Sequence, residues 1–209
     1  MARAVNLRSI TSLRFFAALL VVLHHAFGPE GIPVLNLGFL GVTFFFVLSG
    51  FILTWADSAR HGVVAFYQNR IARIFPLHLA TLGIAVLLPF GLTDSPATLI
   101  QNLTLTQAWS NDGAHSFNWV SWSISVEAFF YLLFPFAFVA LRNRSMKALL
   151  LVAAIAILVQ LGFSEWIRTT DLSNAHFLTY DFPPYRLGEF IVGICLGHAL
   201  LGGWRMSPR

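Results

Sequence analysis

Long apolar runs, each interrupted by only a few polar groups, decide what this chain can fold into. On the rule that a helix needs roughly 17 to 25 mostly apolar residues to cross a bilayer, about six segments qualify: Thr11 to Phe27, Gly38 to Ala56, Ile74 to Leu92, Trp119 to Leu141, Ala148 to Phe163 and Leu187 to Trp204. Hydrocarbon offers backbone N–H and C=O groups no partners, so such runs must become helices. Of 209 residues 57% are hydrophobic and 11% charged, with a mean hydropathy of +0.73, far more apolar than an ordinary soluble domain. The expectation is an all-α, polytopic membrane protein with about six transmembrane helices and a single domain over residues 1–209.

Lysine and arginine accumulate in cytoplasmic loops. Arg3 and Arg8 precede the first run, Arg60, Arg70 and Arg73 lie between the second and third, Arg142, Arg144 and Lys147 between the fourth and fifth, and Arg205 and Arg209 follow the sixth. The opposite loops carry Glu30, Asp94, Asp112, Glu165, Asp171 and Asp181, with Arg168 against the trend. Both termini are therefore expected in the cytoplasm, and the chain in the inner membrane as a multi-pass protein. The basic residues are dispersed along membrane edges, so the pI near 9.8 does not point to nucleic acid. Arg14 breaks the first run and no small-residue cleavage site follows, so that run is expected to stay in the protein. Cys195 is the sole cysteine, which excludes an intrachain disulfide and a cysteine metal cluster.

Ionisable groups inside such runs are costly unless they face a cavity or a partner. Arg14 and His25 are eleven residues apart, which on a helix puts them within roughly 20° of one face and ~16 Å apart along the axis. One face thus carries a fixed cation and a titratable base. A neutral imidazole can take a proton from a hydroxyl near neutral pH, so His25 is the leading catalytic candidate. His24 points about 100° away and reads as structural or interfacial. Arg14, Arg70 and Arg73 can grip a phosphate or pyrophosphate with their planar guanidinium groups; contact with anionic lipid heads is the simpler alternative. Glu127, inside the fourth run, can orient an imidazole, bind an acceptor hydroxyl or hold helices together. Ser49-Gly50 reads as a close helix contact, and Ser49 is also a candidate oxyanion donor. Arg186 and Glu189 can pair on one face of the sixth run. Val63 to Phe75 reads as an interfacial helix, and Thr93 to Asn118 and Ser164 to Tyr185 as long outer segments. The remaining histidines lack metal-site spacing, and no metal is expected.

The strings LRSITSLRFFAALLVVLHH, GFLGVTFFFVLSGFIL, FYQNRIARIFPLHL, WSISVEAFFYLLFP and YRLGEFIVG, in this order, resemble the acyltransferase 3 family of integral membrane O-acyltransferases, from about Asn6 to Gly197. By position, the family's arginine and histidine of the first helix fall on Arg14 and His25, the latter implied as the catalytic group. Its phenylalanine-rich string falls on Phe44 to Gly50, its paired arginines on Arg70 and Arg73, its glutamate on Glu127, and its later arginine on Arg186 with Phe190 and Gly193.

The resemblance implies transfer of an acyl group, commonly acetyl, from cytoplasmic acyl-CoA to a hydroxyl of a cell-surface carbohydrate, a lipid-linked glycan or a related acceptor. Acyl-CoA would be a co-substrate, with no permanently bound cofactor. The family's domain has about ten spans, so the resemblance also implies that its C-terminal spans are missing here and that a partner or second copy completes the domain. Two rival readings follow from the same residues. In a transporter, His25, Glu127 and Arg14 form a proton path, which proton flux into liposomes without acyl-CoA turnover distinguishes. In a truncated, non-catalytic membrane protein neither activity exists.

Overall fold

The computed structural model describes residues 8–27, 37–56, 62–88 and 95–202. Its helices are α1 (Arg8–Phe27), α2 (Gly38–Trp55), α3 (Val63–Leu87), α4 (Pro96–Leu103), α5 (Asn111–Ala114), α6 (Trp122–Leu141), α7 (Met146–Thr170), α8 (Ala175–Tyr180) and α9 (Pro183–Leu201). Two 3₁₀ turns, Gln107–Trp109 and Trp119–Ser121, complete the secondary structure of the described residues, which contain no strand. The loop residues Arg3, Glu30, Arg60, Asp94, Arg205 and Arg209, and the ends of the third and sixth expected spans, lie outside the described residues.

Four segments are long and apolar enough to cross a membrane: Gly38–Trp55, Val63–Leu87, Trp119–Leu141 and Met146–Thr170. In α1 the apolar stretch is shorter, Ser12–Phe27. The sixth expected span, α9, falls outside this class for a physical reason. Its polar and small residues Arg186, Glu189, Gly193 and Gly197 are buried against protein. It is the central helix of the bundle, packed on α2, α6 and α7, and has little need of lipid-facing apolar groups. Pro183 and Pro184 occupy its first turn, where a missing N–H costs nothing, so the helix begins before Arg186.

Backbone contact defines the α2–α9 crossing. A Cβ on Gly50 would run into the Phe190 carbonyl, and one on Gly193 into the Val47 carbonyl, so only glycine permits this approach. The helix-contact reading of Ser49-Gly50 thus holds for Gly50. Between lipid-soluble helices packing rather than water exclusion supplies the attraction, and here it is aromatic: the Phe130 and Phe190 rings stack at 4.5 Å, and Phe66 stacks on Phe134 at 5.3 Å.

Three expected elements are longer or more ordered than their composition suggested. The interfacial helix over Val63 to Phe75 is the first half of α3, which continues through Pro76. Phe66, 1% exposed, packs on α6, and the Tyr67 hydroxyl donates to the Leu132 carbonyl at 3.0 Å, so one side of this segment is seated on protein while Val64, Gln68, Asn69 and Ile71 stay exposed. The fifth span continues past Phe163 to Thr170 as α7. The polar segment 95–121 is a folded cap held by side-chain donors: Asn102 Nδ2 donates to Thr98 O and Ser116 Oγ, Gln107 Nε2 to Ser121 O, and Ser125 Oγ of α6 to Leu105 O. His78 Nε2 donates to Asn102 O at 2.8 Å, fastening the cap to α3.

Candidate active site

A cavity of about 680 Å³ runs between α1, α2, α3, α6 and α8, and it gathers Arg14, His25, Ser49, Arg70, Arg73 and Glu127 from four different helices. Helical geometry separates Arg14 from His25 by ~16 Å along α1, so the two groups meet the cavity at different heights. His24 also lines it, and its Cβ packs on Gly38, where α1 and α2 touch.

His25 has an exposed side chain whose Nδ1 lies 2.8 Å from the carbonyl oxygen of Val21, one turn earlier on α1. A carbonyl only accepts, so Nδ1 carries a proton, and in the neutral ring the lone pair is left on Nε2. The helix itself orients the ring. Among the described residues, the Glu127 carboxylate bonds elsewhere: Oε1 accepts from the Tyr131 hydroxyl at 2.6 Å and from Ser49 Oγ at 3.4 Å. Ser49, half-buried, spends its proton on Glu127 in this arrangement.

Arg70 is half-buried, with its guanidinium carbon 5.7 Å from the ring centroids of both Phe66 and Tyr131. Its Nε is buried without a hydrogen-bond partner among the described residues. Arg14 and Arg73 are exposed along the cavity wall. Among the described residues none of these three forms an ion pair. With these three guanidinium groups on its wall, the cavity offers cationic donors suited to an anion.

Arg186 does not line the cavity. It is 4% exposed, pairs with Glu189 Oε1 at 2.8 Å as the spacing suggested, and donates through Nε to the Tyr180 carbonyl at 2.6 Å. Its guanidinium carbon lies 4.5 Å from the Tyr180 ring centroid and within 5.8 Å of the Phe46, Trp122 and Tyr185 centroids. Residues that line the cavity but escaped sequence reasoning are Tyr131, Trp122, His176 and Tyr180. Tyr131 follows Glu127 by one helical turn and was findable from spacing; the α8 residues reach the cavity only through the fold. Among the described residues no group of histidine, cysteine and carboxylate side chains is arranged to hold a metal.

The described residues thus form a helical bundle with four segments able to span a membrane and a cavity lined by three guanidinium groups and an imidazole. The chain belongs to the acyltransferase 3 family, whose acyltransferase domain profile matches residues 7–202. It is 32% identical to acyltransferase MdmB of Streptomyces mycarofaciens, the match covering 97% of this chain and 60% of that protein. It is 28% identical to the putative acetyltransferase ORF330 of Acidianus two-tailed virus, over 88% of this chain and 56% of the relative. It is likewise 28% identical to O-acetyltransferase OatA of Staphylococcus aureus, over 88% of this chain and 36% of that protein. The chain thus spans 60% or less of the length of these relatives. No solved structure matches it.

Proposed function

We propose that this chain is a membrane O-acyltransferase of the cell's inner membrane, taking an acyl group, with acetyl as the donor to test first, from cytoplasmic acyl-CoA to a hydroxyl of a cell-surface carbohydrate or related acceptor. The observation that supports this reading is one cavity lined together by Arg14, Arg70, Arg73 and His25. The phosphates of acyl-CoA bind the three guanidinium groups, and the pantetheine arm bridges the ~16 Å to the imidazole. His25 Nε2 removes the proton from the acceptor hydroxyl as the oxygen attacks the thioester carbonyl. The carbon–sulfur bond then breaks, and the imidazolium returns the proton to the departing thiolate.

The orientation supporting this places both termini in the cytoplasm and the three guanidinium groups on that side of the cavity. Arg168, the residue against the charge trend, is paired with Glu165 at 2.8 Å, which offsets its charge locally. Cysteines introduced at Arg144 and Asp112 in a Cys195→Ser background, labelled from one side of sealed vesicles, test it; labelling of both from the same side contradicts it.

The function itself is tested by transfer from labelled acetyl-CoA with the purified protein and its His25→Ala variant. Full transfer by the variant removes His25 from the chemistry. An acid-labile acyl group trapped on His25 replaces the general-base step with a covalent one.

A further inference from the structure

The acyl-transfer steps engage the arginines and His25 and leave Glu127 without a part, although it lines the same cavity. Helix contacts give its depth. α1 and α2 run antiparallel, with Gly38 facing the His24 side chain and Gly41 facing Val21 and the Ala17 carbonyl. Ser49, whose hydroxyl donates to Glu127, is eleven residues past Gly38 and so ~16 Å along α2 from the level of His24. Arg14 is ten residues before His24, ~15 Å along α1 in the same direction. Glu127 therefore sits near the depth of Arg14, far beyond hydrogen-bond reach of His25, and cannot orient that imidazole. α3 runs opposite to α6, since Phe66 stacks on Phe134 while Arg70 lies beside Tyr131, so Arg70 and Arg73 meet the cavity at this depth too.

The two carboxylate oxygens of Glu127 differ. Oε1 is taken by Tyr131 and Ser49, at 2.6 and 3.4 Å. Oε2 has no hydrogen-bond partner among the described residues and, unlike Oε2 of Glu189, is not buried, so it is open to a ligand in the cavity. A phosphate held by the arginines repels a carboxylate, and the ligand group that meets Oε2 must be an uncharged donor. Tyr131 sets the two recognition elements side by side: its hydroxyl holds Glu127, and its ring centroid lies 5.7 Å from the Arg70 guanidinium carbon. The site thus fits an anion joined by a short link to a hydroxyl. Leu48, Ile52 and Leu53 of α2, which line the cavity beside Ser49, suit an apolar link. The pantetheine arm of acyl-CoA begins in this way, with a carbon bearing two methyl groups between its phosphate ester and its hydroxyl.

We propose that Glu127 recognises the donor rather than serving His25. Its Oε2 accepts a hydrogen bond from the hydroxyl of the pantetheine arm, and Tyr131 is the positioning residue that sets Glu127 beside Arg70. The assignment rests on the acyl-transfer reading of the cavity. It divides the work of donor binding, because grip on phosphate needs the arginines whereas selection of the arm needs Glu127.

The test is calorimetric titration of the full chain in nanodiscs with three ligands that carry no acyl group and cannot react: coenzyme A, phosphopantetheine, and phosphopantetheine with that hydroxyl replaced by hydrogen. The wild type should bind coenzyme A, and should bind the deoxy ligand about tenfold more weakly than phosphopantetheine, as a hydrogen bond to a charged group requires. Glu127→Gln keeps the bonds to Tyr131 and Ser49 but loses the charge, and the deoxy penalty should shrink to about threefold or less. Tyr131→Phe keeps the ring beside Arg70 and releases Glu127; the penalty should shrink likewise, with affinity for inorganic pyrophosphate held within about twofold. Equal binding of the two phosphopantetheines by the wild type, or an undiminished penalty in Glu127→Gln, overturns the role of Glu127. An undiminished penalty in Tyr131→Phe overturns that of Tyr131. Failure of the wild type to bind coenzyme A overturns the acyl-transfer reading itself, and the donor role of Glu127 with it.

Discussion

The Tyr131 hydroxyl donates a 2.6 Å hydrogen bond to Oε1 of Glu127, one turn earlier on α6, and the same oxygen accepts from Ser49 of α2. A carboxylate inside a spanning helix is costly unless satisfied, and this cluster satisfies it within the cavity wall. Glu127→Ala leaves two hydroxyls without their acceptor and should lower stability by about 1–3 kcal/mol. Glu127→Gln still accepts both bonds, so it should unfold near wild type in a thermal scan while isolating the effect of charge on turnover. If Glu127→Gln is as unstable as the alanine variant, the charge rather than the bonds holds the cluster.

His25 touches its surroundings chiefly through its own helix, since its Nδ1 bonds to the carbonyl of Val21. Replacement by alanine should therefore leave folding intact and reduce transfer by about 10²- to 10⁴-fold, the usual share of a general base. Circular dichroism and a labelled-acetyl assay on one preparation check both halves.

Arginine substitutions should act on the nucleotide half of the donor alone. Arg14→Ala, Arg70→Ala and Arg73→Ala are each expected to weaken acetyl-CoA binding by about tenfold, with no effect on an acyl-pantetheine, which lacks the nucleotide phosphates. Arg14 and Arg73 are exposed whereas Arg70 is half-buried over Phe66 and Tyr131. Added salt should accordingly erode the contributions of Arg14 and Arg73 more than that of Arg70. Calorimetric titrations at two ionic strengths decide the point.

Glycines in this chain divide by what surrounds them. Gly193→Ala forces a methyl group against the Val47 carbonyl and Gly50→Ala against that of Phe190; backbone cannot yield as a side chain can, so each should cost about 1–3 kcal/mol. At Gly83 and Gly162 a Cβ meets nothing within 4 Å, and alanine there should stabilise the helix by up to about 1 kcal/mol. Tryptophan-fluorescence melting of the four variants should give opposite signs for the two pairs.

Asp181, 1% exposed, lies between α8 and α9 with Oδ2 3.4 Å from His115 Nε2. Burial raises its pKa above the usual 3.8, while His115, His176 and Arg186 pull the other way. The folded state therefore binds this proton more tightly than the unfolded chain, and the contribution of Asp181 to stability is fullest in acid and declines as pH rises from about 4 through the folded pKa. His115 Nδ1 donates to Asn111 O at 2.9 Å, so its Nε2 can accept from an amide. Asp181→Asn should thus be tolerated and should flatten that decline in a pH series of melting temperatures.

Particular residues mark how far the sequence reaches. The apolar runs made a helical membrane protein legible, and helical spacing alone put Arg14 in line with His25 and paired Arg186 with Glu189. The polar residues of Val63 to Phe75 suggested a surface helix, and Gln68 and Asn69 are exposed, yet the neighbouring Phe66 packs the first half of α3 onto α6. The fourth run showed Glu127, but its bond to Tyr131 depends on rotamers that spacing does not specify.

What the sequence determined by itself is therefore what short-range physics controls, namely which segments are helical, which face each residue occupies and which connecting segments are basic. Only the tertiary structure decided that Arg186 stands outside the cavity lining, that α9 is the bundle's centre, and that His176 and Tyr180 line the same cavity as His25. Those relations join residues more than a hundred positions apart through the glycine contact of α2 and α9. A contact of that kind depends on how whole helices cross, and no periodicity within a single helix encodes it.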